Sequence, residues 1–228
     1  MSEARELDVA LLIADLSGYT ALTETHGALH ASEVVLRFQG LVRESLEPGV
    51  SILNSIGDDV LCAGADTRAV VRTALRLRDA IERIPDFLKI RTGLHCGRIV
   101  EREGQVFGAP INLTARVAAS ANGGQILCTE AIARTAGDME GIEARPIGER
   151  HFRNVAYAVA VFELVRATER RALAAIDPVC RMQIRIERAV ATIAYRETTY
   201  HFCSLECARA FANAPDAYVG ADSGPKQA

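Results

Sequence analysis

The run Asp8 to Leu16, DVALLIADL, constrains the fold more than any other feature of the chain. It is apolar almost without interruption and lacks polar alternation, so it reads as a buried strand. Asp15 stands near its end. Ala31 to Leu46 follows with apolar residues at helical spacing (Val34, Val35, Phe38, Leu41, Val42) and stops at Pro48-Gly49. Val50 to Ile56 and Val60 to Ala63 flank Gly57-Asp58-Asp59, a hairpin signal. Thr67 to Arg83 is a second amphipathic helix, closed by Pro85. Leu88 to Val100 reads as a strand pair broken at Gly97, Ala109 to Ser120 as a helix, and Gly124 to Cys128 as a strand. Residues 142 to 164 are mainly strand. The order is β-α-β-β-α-β with additions, which predicts an α+β sandwich: helices on one face of a mostly antiparallel sheet.

At 228 residues, 49% apolar and 24% charged, the chain fits one ordinary domain with room for a small second one. The formal net charge is −3 and no basic block stands out, so charge gives no reason to expect nucleic acid or an anionic membrane as partner. Met1 to Leu7 does not read as a signal peptide, and no apolar run is long enough to span a bilayer. A cytoplasmic protein is expected. Of the six cysteines, Cys62, Cys96 and Cys128 are scattered among apolar residues, while Cys180, Cys203 and Cys207 lie in the last quarter of the chain. In a reducing compartment that clustering points to metal more than to disulfides.

Asp15 closes a strand, before Leu16-Ser17-Gly18-Tyr19-Thr20, and Asp58 sits in a tight turn. In the predicted sheet these ends can lie side by side. Two carboxylates there repel unless a cation separates them, and Mg²⁺ or Mn²⁺ fills that role while bridging phosphates. Gly18 and its neighbours would offer backbone N–H groups to a phosphate. Each acid alone has a plainer reading: Asp15 as a helix cap, Asp58 as a turn residue.

Read together, the surrounding words resemble the class III adenylate and guanylate cyclases. IADLSGYTALTE resembles their first metal motif, and NSIGDDVLCA their second. GLHCGRIV resembles the strand that follows. VFGAPINLTARV resembles the helix motif that closes the site, and GGQILCTEAI and GERHFRNVAYAVAVFEL the family's last stretches. The resemblance runs from about residue 8 to 164, in the family's order. It implies a ferredoxin-like core in a domain spanning residues 1–165, working as a head-to-tail homodimer on ATP or GTP. Asp15 and Asp58, with the Leu16 carbonyl, would hold two Mg²⁺ or Mn²⁺ ions, and Gly18, Tyr19 and Thr20 would meet the phosphates. Asn112 would orient the ribose. Arg116, one turn later on the same helix face, would stabilise the transferring phosphate.

Four positions depart from the family. Where adenylate cyclases usually carry a Lys and an Asp that select the base, this chain has Asn54 and Gln105. An amide offers both a donor and an acceptor, so base selection should be relaxed, with cyclic AMP the leading product. The family's phosphate-binding lysine falls at Arg153, which keeps the charge and changes its geometry. Cys96 replaces a common Thr and reads as core. Asn54 and Gln105 also motivate a competing expectation: a weak or inactive cyclase-like dimer that binds nucleotide and responds to metal.

Residues 166–175 read as a helical linker and 220–228 as a disordered tail. Between them, DPVCRM and YHFCS followed by Cys207 resemble a YHS or TRASH-type domain over residues 176–219. That resemblance implies a treble-clef-like fold with Cys180, Cys203 and Cys207 binding zinc or copper. The fourth ligand is open between Asp177 and His201, or is absent. His26, His30, His95 and His151 show no convincing ligand set. His26 and His30, at i, i+4, read as a solvated helix face.

Overall fold

The computed structural model describes residues 4–167 and 174–219. The chain runs β1 (Arg5–Leu16), α1 (Tyr19–Ser45), β2 (Val50–Ile56), β3 (Asp59–Gly64), α2 (Thr67–Glu82), β4 (Phe87–Leu88), β5 (Ile90–Arg102), β6 (Gln105–Phe107), α3 (Ala109–Ala119), β7 (Ile126–Thr129), α4 (Glu130–Gly137), β8 (Ile142–Arg150) and β9 (Val159–Arg166). Then come β10 (Ala174–Ile176), β11 (Met182–Arg185), β12 (Ala191–Tyr195), β13 (Thr198–Phe202), α5 (Leu205–Asn213) and α6 (Pro215–Tyr218). The described residues divide into two compact units. One falls in Met1–Ser17, Val35–Arg83 and Ile90–Arg170, the other in Gly18–Val34, Ile84–Lys89 and Arg171–Ala228.

The first unit is a mixed eight-stranded sheet in the order β2-β3-β1-β5-β7-β9-β8, with β6 folded onto β5. Among the described residues only β5 and β7 pair in parallel. β1 lies near the centre, and Leu11 and Leu12, which point to opposite faces, are both fully buried at 0% exposure. That is why its sequence shows no alternation: helices cover both faces of the sheet, not one alone as expected. On one face α3 packs Ala118, Ile111 and Ala115 against Leu11, Ile13, Leu61, Ala63 and Ile99. On the other, α2 buries Val70, Val71, Ala74, Leu77 and Ile81, and its Thr67 hydroxyl meets the Cys96 sulfur at 3.7 Å. Asp66 caps α2 by accepting from the Arg68 N–H at 2.9 Å, and the helix ends short of Pro85.

Several expectations need correction. β5 does not break at Gly97 but runs through it. The missing side chain there makes room for Pro110, and a β-carbon at Gly93 would strike the α3 backbone at Thr114 O and Ala118 N. These glycines exist to bring α3 down onto the strand. The helix expected from Ala31 begins at Tyr19 and is interrupted at Gly27, whose φ of 82° and ψ of 162° are not helical. The short elements β6 and α4 were not foreseen. The linker expected to be helical is strand at both ends, in Arg166 of β9 and Ala174 of β10. Its middle, residues 168–173, lies outside the described residues, as does the tail from 220.

In the second unit, β10, β11 and β4 form a three-stranded sheet and β12 and β13 a hairpin. Ser204 caps α5 by accepting from the Cys207 N–H at 3.1 Å. Phe211, fully buried on α5, gathers Tyr195, Tyr200, Phe202 and Tyr218 around it, with ring centroids 4.9–6.3 Å away. Among the described residues no helix is long and apolar enough to cross a membrane.

Candidate functional site

At the carboxyl end of β1, Asp15 lies opposite Asp59 on β3 and opposite Arg91 on β5. The Arg91 guanidinium forms an ion pair with the Asp15 carboxylate. Asp58, in the β2–β3 turn, is pushed up to about 6, first by burial and then by the hydrogen bond and charge of Asp15. The two acids expected to share cations are therefore brought within reach of each other. Burial, then the Asp15 charge, raises Asp59 in the same direction. An oxygen-only donor set with excess negative charge suits a hard divalent ion and not a soft one. Leu16 is buried and pairs with Ile90, which fixes the backbone beside Asp15. Arg91 escaped the sequence reading because its closeness to Asp15, 76 residues earlier, exists only once β1 and β5 pair.

A second group gathers on α3. Ile111 and Ala115 face the sheet, which leaves Asn112 exposed and Arg116 half-buried on the next face of the helix. The β8–β9 loop packs Phe152 and Val155 onto Leu113 and Val117, and between them Arg153 is exposed at a tight turn. Gln105 opens β6, opposite Arg102, and is exposed. Asn54 is exposed on β2 just past a bulge, its Oδ1 accepting from the Ser55 N–H at 2.9 Å. Gly18, with φ of 98°, turns the chain from β1 into α1, and its carbonyl accepts from the Leu22 N–H at 2.9 Å. Tyr19 and Thr20 form the first turn. Within its unit Gly18 is covered by Arg181, whose side chain a β-carbon at this position would strike. Cys96, read from the sequence as core, is half-buried against Thr67.

The second unit contains a different donor set. Cys180, in the turn between β10 and β11, Cys203, after β13, and Cys207, in the first turn of α5, converge with His26 of α1, and all four ligand atoms lie within 4.8 Å of one another. The sulfurs of Cys180 and Cys203 are 3.4 Å apart and those of Cys203 and Cys207 3.7 Å. The His26 Nε2 lies 3.6 Å from Cys207 and 3.8 Å from Cys203. These are not disulfides, and all six cysteines are free. The Cys207 thiol is drawn well below its ordinary value because Cys180 and then Cys203 hydrogen-bond to it. Cys180 is raised, first by its hydrogen bond with Cys203, then by that with Cys207 and by burial. Neither residue expected as a fourth ligand joins the cluster. Asp177, fully buried, accepts from the N–H groups of Val179 at 2.8 Å, Cys180 at 3.3 Å and Cys203 at 2.8 Å. Its carboxyl is raised by burial and lowered by the Cys203 and Val179 bonds. His201 sits on β13 beside the Thr192 hydroxyl, 3.4 Å away. His26 Nε2 is instead the fourth atom of the group, where the sequence pattern predicts a solvated helix face.

Comparison with known proteins bears on both units. The family model described as the adenylate and guanylate cyclase catalytic domain matches residues 1–165, and that of the YHS domain matches residues 175–222. A pH-sensitive adenylate cyclase of Mycobacterium tuberculosis is 31% identical over 170 residues, covering 73% of this chain and 42% of that protein. An adenylate cyclase of Streptomyces griseus is 30% identical over 122 residues, covering 53% of this chain and 31% of that protein. The chain thus spans less than half the length of these relatives. The adenylyl cyclase CyaB of P. aeruginosa superposes with a TM-score of 0.65 at 19% identity, over 75% of this chain and all of that one. An adenylate/guanylate cyclase/hydrolase of Silicibacter pomeroyi gives 0.59 at 25% identity, over 73% of this chain and all of that one.

Proposed function

Because the chain belongs to the adenylate and guanylate cyclase catalytic domain family, we propose that it converts ATP, and less selectively GTP, to the 3′,5′-cyclic nucleotide and pyrophosphate. The observation that carries the reading is the pairing of Asp15 with Asp59, beside Asp58 in the β2–β3 turn, at one end of the sheet. Asp15, Asp58 and the Leu16 carbonyl would hold two Mg²⁺ or Mn²⁺ ions. When bound, such ions acidify the 3′-hydroxyl and neutralise the triphosphate. The hydroxyl oxygen attacks the α-phosphorus, the bond to the β-phosphate oxygen breaks with its electron pair, and the proton leaves to solvent. Gly18, Tyr19 and Thr20 would present the backbone at the start of α1 to the phosphates. Asn112 orients the ribose, and Arg116 and Arg153 offset the charge that builds on the phosphate oxygens. Asn54 and Gln105 meet the base edge.

These residues act across a head-to-tail homodimer in this reading, α3 of one protomer completing the Asp15 and Asp58 set of the other. The cyclase domain ends near residue 165, and a metal-binding YHS-type module occupies 176–219, its Cys180, Cys203 and Cys207 holding zinc or copper. The substrate and the free thiols at all six cysteines suit a cytoplasmic setting. Purified protein given ATP or GTP with Mn²⁺ should form cyclic product, and Asp15→Ala or Arg116→Ala should each abolish it. Mixing those two variants should restore about a quarter of the activity, since half the dimers are mixed and each holds one intact site. Formation of no cyclic nucleotide by well-folded wild type refutes the enzyme. Failure of the mixture alone refutes the shared site.

A further inference from the structure

We infer that His26 is the fourth ligand of a closed Cys₃His site, and that an ion bound there ties the first segment of α1 to the C-terminal module and so governs the turn at Gly18. The inference rests on the reading of Cys180, Cys203 and Cys207 as metal ligands. A tetrahedral zinc-type ion, with bonds of about 2.3 Å to sulfur and about 2.0–2.1 Å to nitrogen, holds sulfurs about 3.8 Å apart and a sulfur and a nitrogen about 3.6 Å apart. The observed edges follow that figure: 3.4 and 3.7 Å between sulfurs, and 3.6 and 3.8 Å from sulfur to His26 Nε2. The donor set is mixed, partly buried and complete at four, which favours a structural ion over one with an open position. The alternatives nearby are already engaged. The Asp177 carboxylate is taken by three backbone N–H groups, and His201 lies against Thr192.

The consequence comes from where His26 stands. It is the last residue before the break at Gly27, so the segment Tyr19 to His26 is a short helix of its own. Two turns of helix are marginal alone; buried Leu22 anchors the middle of this one, and a ligand bond at its end adds order there. Its other end is Gly18, and Gly18 is in turn covered by Arg181, the residue that follows ligand Cys180. An ion at this site therefore fixes the turn bearing Gly18, Tyr19 and Thr20 from both sides, through His26 along the helix and through Cys180 and Arg181 across it. Metal supply would be read out as order in the segment Gly18 to His26.

The test uses the full chain as wild type, His26→Ala, His26→Cys and Cys203→Ser. Zinc affinity is measured by competition with a colorimetric chelator, the ligand field by Co²⁺ absorption, and order by amide hydrogen exchange of peptides covering residues 18–26 with and without Zn²⁺. His26→Ala should weaken zinc by at least about 100-fold, the upper end of what loss of an outer-shell partner costs. It should also change the Co²⁺ visible bands and lose the zinc-dependent protection of residues 18–26. His26→Cys should restore tight binding with a four-thiolate spectrum, which separates a lost ligand from a damaged fold. If His26→Ala keeps the wild-type affinity and spectrum while Cys203→Ser loses its metal, the module reading stands and this inference falls. If Cys203→Ser also keeps its metal, the module reading falls first. Unchanged exchange in residues 18–26 on zinc binding overturns the coupling.

Discussion

Asp177 is the residue whose replacement tests the architecture of the cysteine-bearing turns most directly. Its carboxylate is fully buried and accepts at one oxygen from Val179 and Cys180 and at the other from Cys203. It thereby holds together the two chain segments, more than twenty residues apart, that carry Cys180 and Cys203 (|i−j| = 23). A hydrogen bond to a charged acceptor contributes about 1.5–3 kcal/mol, so the two bonds at 2.8 Å together account for about 3–6 kcal/mol. Asp177→Ala leaves these donors buried without partners and should unfold the second unit at markedly lower urea, zinc escaping with it. Asp177→Asn keeps one oxygen for Val179 but turns an amide N–H₂ toward the Cys203 N–H, so it should lose about half as much, near 1.5–3 kcal/mol. The assay is convenient because the chain has no tryptophan and five tyrosines, of which Tyr195, Tyr200 and Tyr218 ring Phe211. Their near-ultraviolet dichroism follows this unit, and a chelator dye follows zinc. Equal urea midpoints for wild type and Asp177→Ala would refute the reasoning, as would an Asn variant no better than Ala.

Three further outcomes are expected. Asp58 must shed its proton to hold a cation, so with its pKa at about 6 the affinity for Mn²⁺ should fall about tenfold from pH 7 to pH 5; Asp15→Asn should lower that midpoint without returning it to the ordinary value, because burial is the larger cause. Titration of Mn²⁺ at several pH values, with free ion followed by electron paramagnetic resonance, checks this, and a flat profile contradicts it. Gly93→Ala would put a β-carbon 2.6 Å from Thr114 O and 2.8 Å from Ala118 Cα, so it should cost about 1–3 kcal/mol in thermal unfolding and displace the helix bearing Asn112 and Arg116. An unchanged melting temperature would show that α3 is not seated as described. Asn54→Lys with Gln105→Asp should raise the preference for ATP over GTP by about one to two decades in kcat/KM, and an unaltered ratio would remove these positions from the base site.

What the sequence made legible is what local pattern encodes. β1 announced itself because both its faces are buried, α2 because its apolar stripe is regular and closed by Pro85, and the β2–β3 hairpin because Gly57-Asp58 marks its turn. α4 was missed because only Ile132, Ala133 and Ala136 of its eight residues face inward, too short a stripe to stand out. Gly97 was misread because a glycine that opens space for Pro110 looks, in one dimension, like a glycine that ends a strand. His26 had no local signal at all. Its sulfur partners lie 177 and 181 residues further on, and its only patterned neighbour, His30, touches it ring to ring without joining the cluster.

On α5 the cysteine cluster and the aromatic packing of the second unit meet. Cys207 and Phe211 are four residues apart on α5, so they share one face, and both are fully buried. One end of that face carries the thiol that meets Cys203 and His26, and the other carries the ring at the centre of the aromatic cluster. Offset and edge-on aromatic pairs contribute about 0.5–1.5 kcal/mol each beyond their burial, which seats α5 against β12 and β13 before any ion arrives. Ser204 then fixes the first turn through the Cys207 N–H, so the sulfur is presented by an ordered helix end. A thiol held this way binds metal without first bearing the entropy of folding its own helix. The binding energy of an ion at this cluster would then be free to order the short helix that ends at His26, which the core already holds through Leu22.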